Sequence, residues 1–151
     1  GVMVVLHEPS LVAACVRAGV RGEVDLGFAR GVVKNIGDGR FTETQVRHGG
    51  WQHCDQGVSA VVETAEDHTI VLTSHRMAPM SLEQVISLGV HPERMRILIV
   101  KGVIAPQAAY APVASEILLV DTPGPTANDP RSFVYKNRRV PMFPMEPECE
   151  F

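Results

Sequence analysis

Val2-Met3-Val4-Val5-Leu6, followed by Glu8-Pro9-Ser10-Leu11-Val12-Ala13-Ala14-Cys15-Val16-Arg17-Ala18-Gly19, decides the class of fold. The first five residues are all apolar. They are too few for a helix and suit a strand buried on both faces. Pro9 suits a first helical turn, where its missing N–H would have no partner in any case. Leu11, Val12, Cys15 and Ala18 then share one helical face, and Gly19 supplies the stop. On this reading Cys15 is a small core residue and not a nucleophile.

Working outward, Val24, Leu26 and Phe28 alternate with Glu23, Asp25 and Gly27, the pattern of a half-buried strand. Gly31–Ile36 and Arg40–Val46 flank Gly37-Asp38-Gly39, which predicts a hairpin because Gly and Asp accept positive φ. A second hairpin is predicted from Ser59–Thr64 to Thr69–Thr73. Ser81-Leu82-Glu83-Gln84 has the form of a capping box opening a helix that Gly89 ends. Arg96–Val100 predicts a buried strand, Pro106–Ala114 a partial helix, and Glu116–Val120 a last strand. From about residue 122 the chain turns Pro-rich and extended. These elements predict a single α/β or α+β domain over residues 1–151, built on a mixed sheet with hairpins and a few short helices.

The 151 residues carry 14 Lys+Arg against 17 Asp+Glu, a net charge of −3. No global positive field exists to hold nucleic acid or an anionic membrane. Aromatic residues make up only 5%, too few for a base-stacking platform. Arg131, Lys136, Arg138 and Arg139 interleave with Phe133 and Tyr135, but four cations in an acidic chain release few counterions. No apolar run approaches the roughly 20 residues that span a bilayer. Three widely spaced cysteines and the absence of a signal peptide point to the cytoplasm. Gly1 opening directly onto a strand reads as the start of an excised piece of a longer protein.

His48, His53, Cys54 and Asp55 are all competent zinc ligands, but adjacent His53 and Cys54 diverge in an extended chain. The favoured reading is a Gly-rich loop with solvated histidines. His75 and Arg76 close a predicted strand, where α/β folds place ligands. Lys101 and Asp121 each end a predicted strand. If those strands are parallel neighbours, the two side chains form an ion pair or, with Gly124 beyond, one wall of a cleft. Glu23, Asp25, Glu43 and Glu63 read as solvated faces. No GxGxxG, GxxxxGK[ST], HExxH or GxSxG motif occurs.

Several ordered motifs carry a resemblance. They are Val71-Leu72-Thr73-Ser74-His75-Arg76, Leu82-Glu83-Gln84, Leu88-Gly89-Val90-His91-Pro92, Ile99-Val100-Lys101-Gly102, Val120-Asp121-Thr122-Pro123-Gly124 and Arg138-Arg139-Val140-Pro141-Met142-Phe143-Pro144. With His7-Glu8-Pro9 and Ala18-Gly19-Val20, they resemble the C-terminal domain of the MlrC (microcystinase C) family, with Gly31–Gly57 matching least. That family comprises bacterial zinc-dependent metallopeptidases named for an enzyme that degrades linearised microcystin. The resemblance implies that the zinc ligands and catalytic carboxylate lie in a larger N-terminal domain. It also implies that this chain packs on that domain and walls its substrate cleft. Many members carry a His-Phe-Arg stretch where this sequence has Ala105-Pro106-Gln107, so Ala105 can neither ligate nor shuttle a proton there.

The reading is therefore a C-terminal domain, inactive alone, with no cofactor of its own and with zinc in the parent protein. Its partners are the N-terminal catalytic domain and, through the apolar surface that domain would leave bare, a second copy of itself; neither nucleic acid nor membrane is a partner. The alternatives are a non-enzymatic binding or assembly module, and a free-standing hydrolase built on His48, His53 and Cys54.

Overall fold

Strand register explains the architecture. In the computed structural model, which describes residues 1–47, 49–102, 104–122 and 129–146, β1 (Val2–His7) leads into α1 (Pro9–Ala18). There follow β2 (Glu23–Asp25), β3 (Arg30–Gly37), β4 (Arg40–Thr42), β5 (His53–Asp55), β6 (Ser59–Thr64) and β7 (His68–Thr73). Then come α2 (Glu83–Ile86), β8 (Ile97–Ile99) and α3 (Gln107–Tyr110). Six strands form one sheet in the order β2-β3-β6-β7-β1-β8, and β4 pairs with β5 in a separate ribbon. β1 runs parallel to both β7 and β8, while the β2-β3-β6-β7 half is antiparallel.

The sheet is mixed, and both of its faces are covered. Side-chain alternation sends Val4, Leu6, Ala60, Val62, Ile70 and Leu72 to one face, where Val12 and Cys15 of α1 meet them. It sends Met3, Val61 and Val71 to the other, where they meet Val85, Leu88, Val90, Ala109 and Tyr110. Double coverage is why β1, β6 and β7 are nearly continuous apolar runs. α1 ends as its sequence predicts: Gly19 adopts φ +74° and its N–H donates to the Cys15 carbonyl at 2.9 Å. The β6–β7 hairpin also forms, with Asp67 taking φ +61° in its turn.

Several local expectations fail for identifiable reasons. β3 and β4 flank Gly37-Asp38-Gly39 but do not pair: β3 pairs with β6, and β4 turns away to pair with β5. β6 pairs with β3 from Gly31 to Gly37 across one irregularity, a longer ladder than the three-residue β4 could give in a hairpin. Ser81 does not close a capping box, since its hydroxyl accepts the Glu83 N–H at 3.1 Å and the Gln84 side chain is buried. The strand predicted over 96–100 shrinks to β8 at the sheet edge, with Ile97 56% and Ile99 53% exposed. Residues 116–120 form no strand, and Ile117, Leu118, Leu119 and Val120 are all exposed. An apolar run has the composition of a strand, but only a partner's backbone makes it one.

The chain divides into two units, Gly1–Ile117 and Leu118–Phe151. Within the second, a 3-10 turn at Pro130–Ser132 is capped by the Asp129 carboxylate, which accepts the Arg131 N–H at 2.9 Å. Arg138 grips Glu146 through two nitrogens at 2.8 and 2.5 Å. Phe133 and Tyr135 meet edge to face with centroids 6.2 Å apart. Two arginines of the basic run are thus held by carboxylates.

Candidate functional site

The register brings the carboxyl ends of β1 and β7 together, since His7 lies opposite Thr73. The amino end of β6 joins them, with Ser59 opposite both Thr73 and Gly37. The connections Ser74-His75-Arg76, Asp55-Gln56-Gly57 and Asp38-Gly39-Arg40 consequently converge on one edge. They are stitched by backbone bonds: Ser74 N–H to Val58 O at 3.1 Å, His75 N–H to Gln56 O at 2.9 Å, and Gln56 N–H to Gly39 O at 3.0 Å.

His75 is the best-defined side chain at this edge. The Thr73 hydroxyl donates to its carbonyl at 3.0 Å. Its ring lies on Gly57, which has φ +68°; a Cβ there would sit 2.8 Å from His75 Cγ and closer still to Ser74 Oγ. Only glycine fits. His75 Nδ1 faces Asp55 Oδ1 at 3.7 Å. That carboxylate is itself fixed, because Oδ1 accepts the Gly57 N–H at 2.7 Å and Oδ2 lies 3.7 Å from Arg40 Nε. Asp55 was legible in the sequence only as a weak zinc ligand. The fold gives it a different neighbour, from a strand end some twenty residues away.

Behind this edge lies a buried polar layer. Glu43, expected in solvent, is only 5% exposed. It follows β4, and its N–H donates to the Gln52 carbonyl at 2.8 Å, prolonging the ribbon and turning the carboxylate inward. Burial alone would raise its pKa. The Ser81 hydroxyl, the Gln45 N–H at 2.7 Å and Arg47 at 3.3 Å outweigh that and hold it lowered. Gln56 Nε2 donates to the Gln84 carbonyl at 2.8 Å, fastening the edge to α2. The amide oxygens of Gln56 and Gln84 and the Tyr110 hydroxyl have no hydrogen-bond partner among the described residues.

Three of the four candidate zinc ligands, His53, Cys54 and Asp55, fall on described residues. His48 lies outside the described residues. His53 and Cys54 are successive residues of β5 and project to opposite faces, His53 exposed and Cys54 partly buried. Burial, then the nearby Glu43 charge, raise the Cys54 thiol pKa. Among the described residues, no group of three or more His, Cys, Asp or Glu could hold a metal ion. An open recess of about 360 Å3 beside the ribbon is lined by Arg40, Phe41, Thr42, His53, Cys54 and Asp55.

Arg76 is exposed just beyond His75, and Lys101 is exposed just beyond β8. Asp121 is exposed in the second unit and ends no strand, so the parallel-neighbour premise for pairing it with Lys101 does not hold. Gly124 lies outside the described residues. No helix among the described residues is long and apolar enough to cross a membrane.

Comparison with known proteins fits this architecture. A crystal structure from Mesorhizobium sp. BNC1, of a protein named as a candidate metallopeptidase, superposes with a TM-score of 0.76 at 23% identity. The match covers 96% of this chain but only 31% of the other, so this chain spans about a third of that protein's length. Among curated proteins, none matches. The family model described as the MlrC C-terminus matches residues 1–137, the whole of the first unit and part of the second. The chain therefore belongs to the MlrC C-terminal domain family.

Proposed function

We propose that this chain is the C-terminal domain of a bacterial MlrC-type zinc metallopeptidase, packing on an N-terminal domain that carries the metal. The observation that carries this reading is the match over residues 1–137 to an MlrC C-terminus, beside a fold neighbour three times as long. Its contribution is a wall of the substrate cleft, built from the edge where His75, Asp55 and Arg40 gather. The metal would polarise the scissile amide and activate a water in the other domain, and the ligands would be supplied there. Cys15 and Cys54 are free thiols, which suits a cytoplasmic setting. Taken alone, the chain would self-associate through the apolar side chains it exposes, among them Phe28, Trp51, Ile97 and Ile99.

The test compares the 151-residue chain with the protein extended upstream of Gly1. Metal analysis and peptide hydrolysis should find stoichiometric zinc and zinc-dependent cleavage only in the longer protein. A 151-residue chain that held zinc tightly and cleaved peptides would overturn the division of labour.

A further inference from the structure

An exposed histidine normally samples several rotamers and gains nothing from being fixed. His75 is 65% exposed in its side chain, yet it is constrained from four directions. Its N–H is tied to Gln56 O and its carbonyl to the Thr73 hydroxyl. Its ring rests on the bare Cα of Gly57, and its Nδ1 faces Asp55. The carboxylate that faces it is held in turn by the Gly57 N–H and by Arg40. No part of the core uses this arrangement, because His75 and Asp55 both sit at the surface. His91 also faces a carboxylate, Glu93 at 3.2 Å, but that partner is two residues away in the same turn. The His75 clamp is assembled from three separate connections. Gly57 is its pivot: the same residue leaves room for the ring and donates to the orienting carboxylate.

We infer that His75 is a ligand-contact residue held by the positioning residue Asp55, with Nδ1–H directed at the carboxylate and Nε2 presented outward to accept a hydrogen bond from a peptide N–H or O–H. The chemistry follows from the imidazole itself. A carboxylate opposite one ring nitrogen fixes the proton there and leaves the other nitrogen as a directed acceptor. At 3.7 Å the pair is a close approach longer than a hydrogen bond, near enough for the carboxylate charge to bias which ring nitrogen carries the proton. The peptide as ligand class rests on the function proposed above. The orientation of the ring does not.

Two measurements separate these. On the 151-residue chain with 15N-labelled histidine, long-range proton–nitrogen correlation reads the tautomer of each neutral ring. The His75 signals are assigned with H75Q, and His91 serves as an internal standard. The expected result is the Nδ1–H tautomer at His75, reverting to the solvent-favoured Nε2–H form in D55N. An Nε2–H tautomer in the wild type, or no change in D55N, would overturn the clamp while leaving the peptidase reading intact. In the upstream-extended protein, H75Q should lower kcat/KM for a fluorogenic peptide about tenfold or more, with zinc content and folding unchanged. Unchanged kcat/KM would overturn the ligand contact. An extended wild-type protein that binds zinc but cleaves no peptide would sink the peptidase reading, and the peptide as ligand with it.

Discussion

Gly57 lies directly under the His75 imidazole, so close that a Cβ at position 57 would come within 2.9 Å of Cδ2 and 2.8 Å of Cγ. The contact joins the end of β7 to the connection leaving β5, two pieces of chain with no strand pairing between them. It requires both a left-handed backbone and an absent side chain, and the two demands can be measured apart.

Gly89 supplies the comparison. It has φ +79° with nothing within 4 Å of a built Cβ, whereas Gly57 has φ +68° and a filled site. Gly89→Ala should cost about 1 kcal/mol, the backbone term alone. Gly57→Ala should cost about 3 kcal/mol, because displacement of Ser74 and His75 is added. Urea denaturation of the two variants checks the difference, and equal midpoints would mean that the ring does not rest on Gly57.

Glu43 makes stability depend on acid. Its folded pKa is lowered below the unfolded value, so its contribution is fully present above the unfolded pKa and is lost as pH falls through the folded one. Glu43→Gln should destabilise by about 1–3 kcal/mol at neutral pH, since Arg47 loses its charge partner. The gap between variant and wild type should close as pH drops below about 4. Thermal melts across that range are the measurement, and a gap independent of pH would show that the carboxylate is not held ionised.

Tyr110 behaves in the opposite sense. Burial pushes its hydroxyl up to about 12, and that hydroxyl has no hydrogen-bond partner among the described residues. Tyr110→Phe should leave stability unchanged or raise it by about 1 kcal/mol, because an unpaired buried hydroxyl is removed. Alkaline titration of tyrosine absorbance should show Tyr110 ionising only as pH rises towards 12. With a folded pKa above the unfolded value, its contribution holds below about pH 10 and fades as pH rises towards 12.

Two leucines distinguish a real core from an apolar run. Leu72 is fully buried, and Leu119 is 69% exposed. Leu72→Ala should cost about 3 kcal/mol and Leu119→Ser less than about 0.5 kcal/mol. A large loss at Leu119 would mean that residues 116–120 pair as a strand after all.

The sequence alone determined the elements whose signals are local. Val2–Leu6, the face shared by Leu11, Val12 and Cys15, the Gly19 stop and the β6–β7 hairpin each depend on neighbours within a few residues, where periodicity and turn chemistry act. The ordered motifs likewise carried the family, which the match over residues 1–137 establishes. Tertiary structure decided which strand edges meet. It gave β3 to β6, left Ile97 and Ile99 on an edge, and left Leu118, Leu119 and Val120 with no strand partner. It also carried Asp55 to His75 and turned Glu43 inward to Ser81. Pairing energy depends on backbones far apart in the chain, and a residue's own type says nothing of what the register will set beside it.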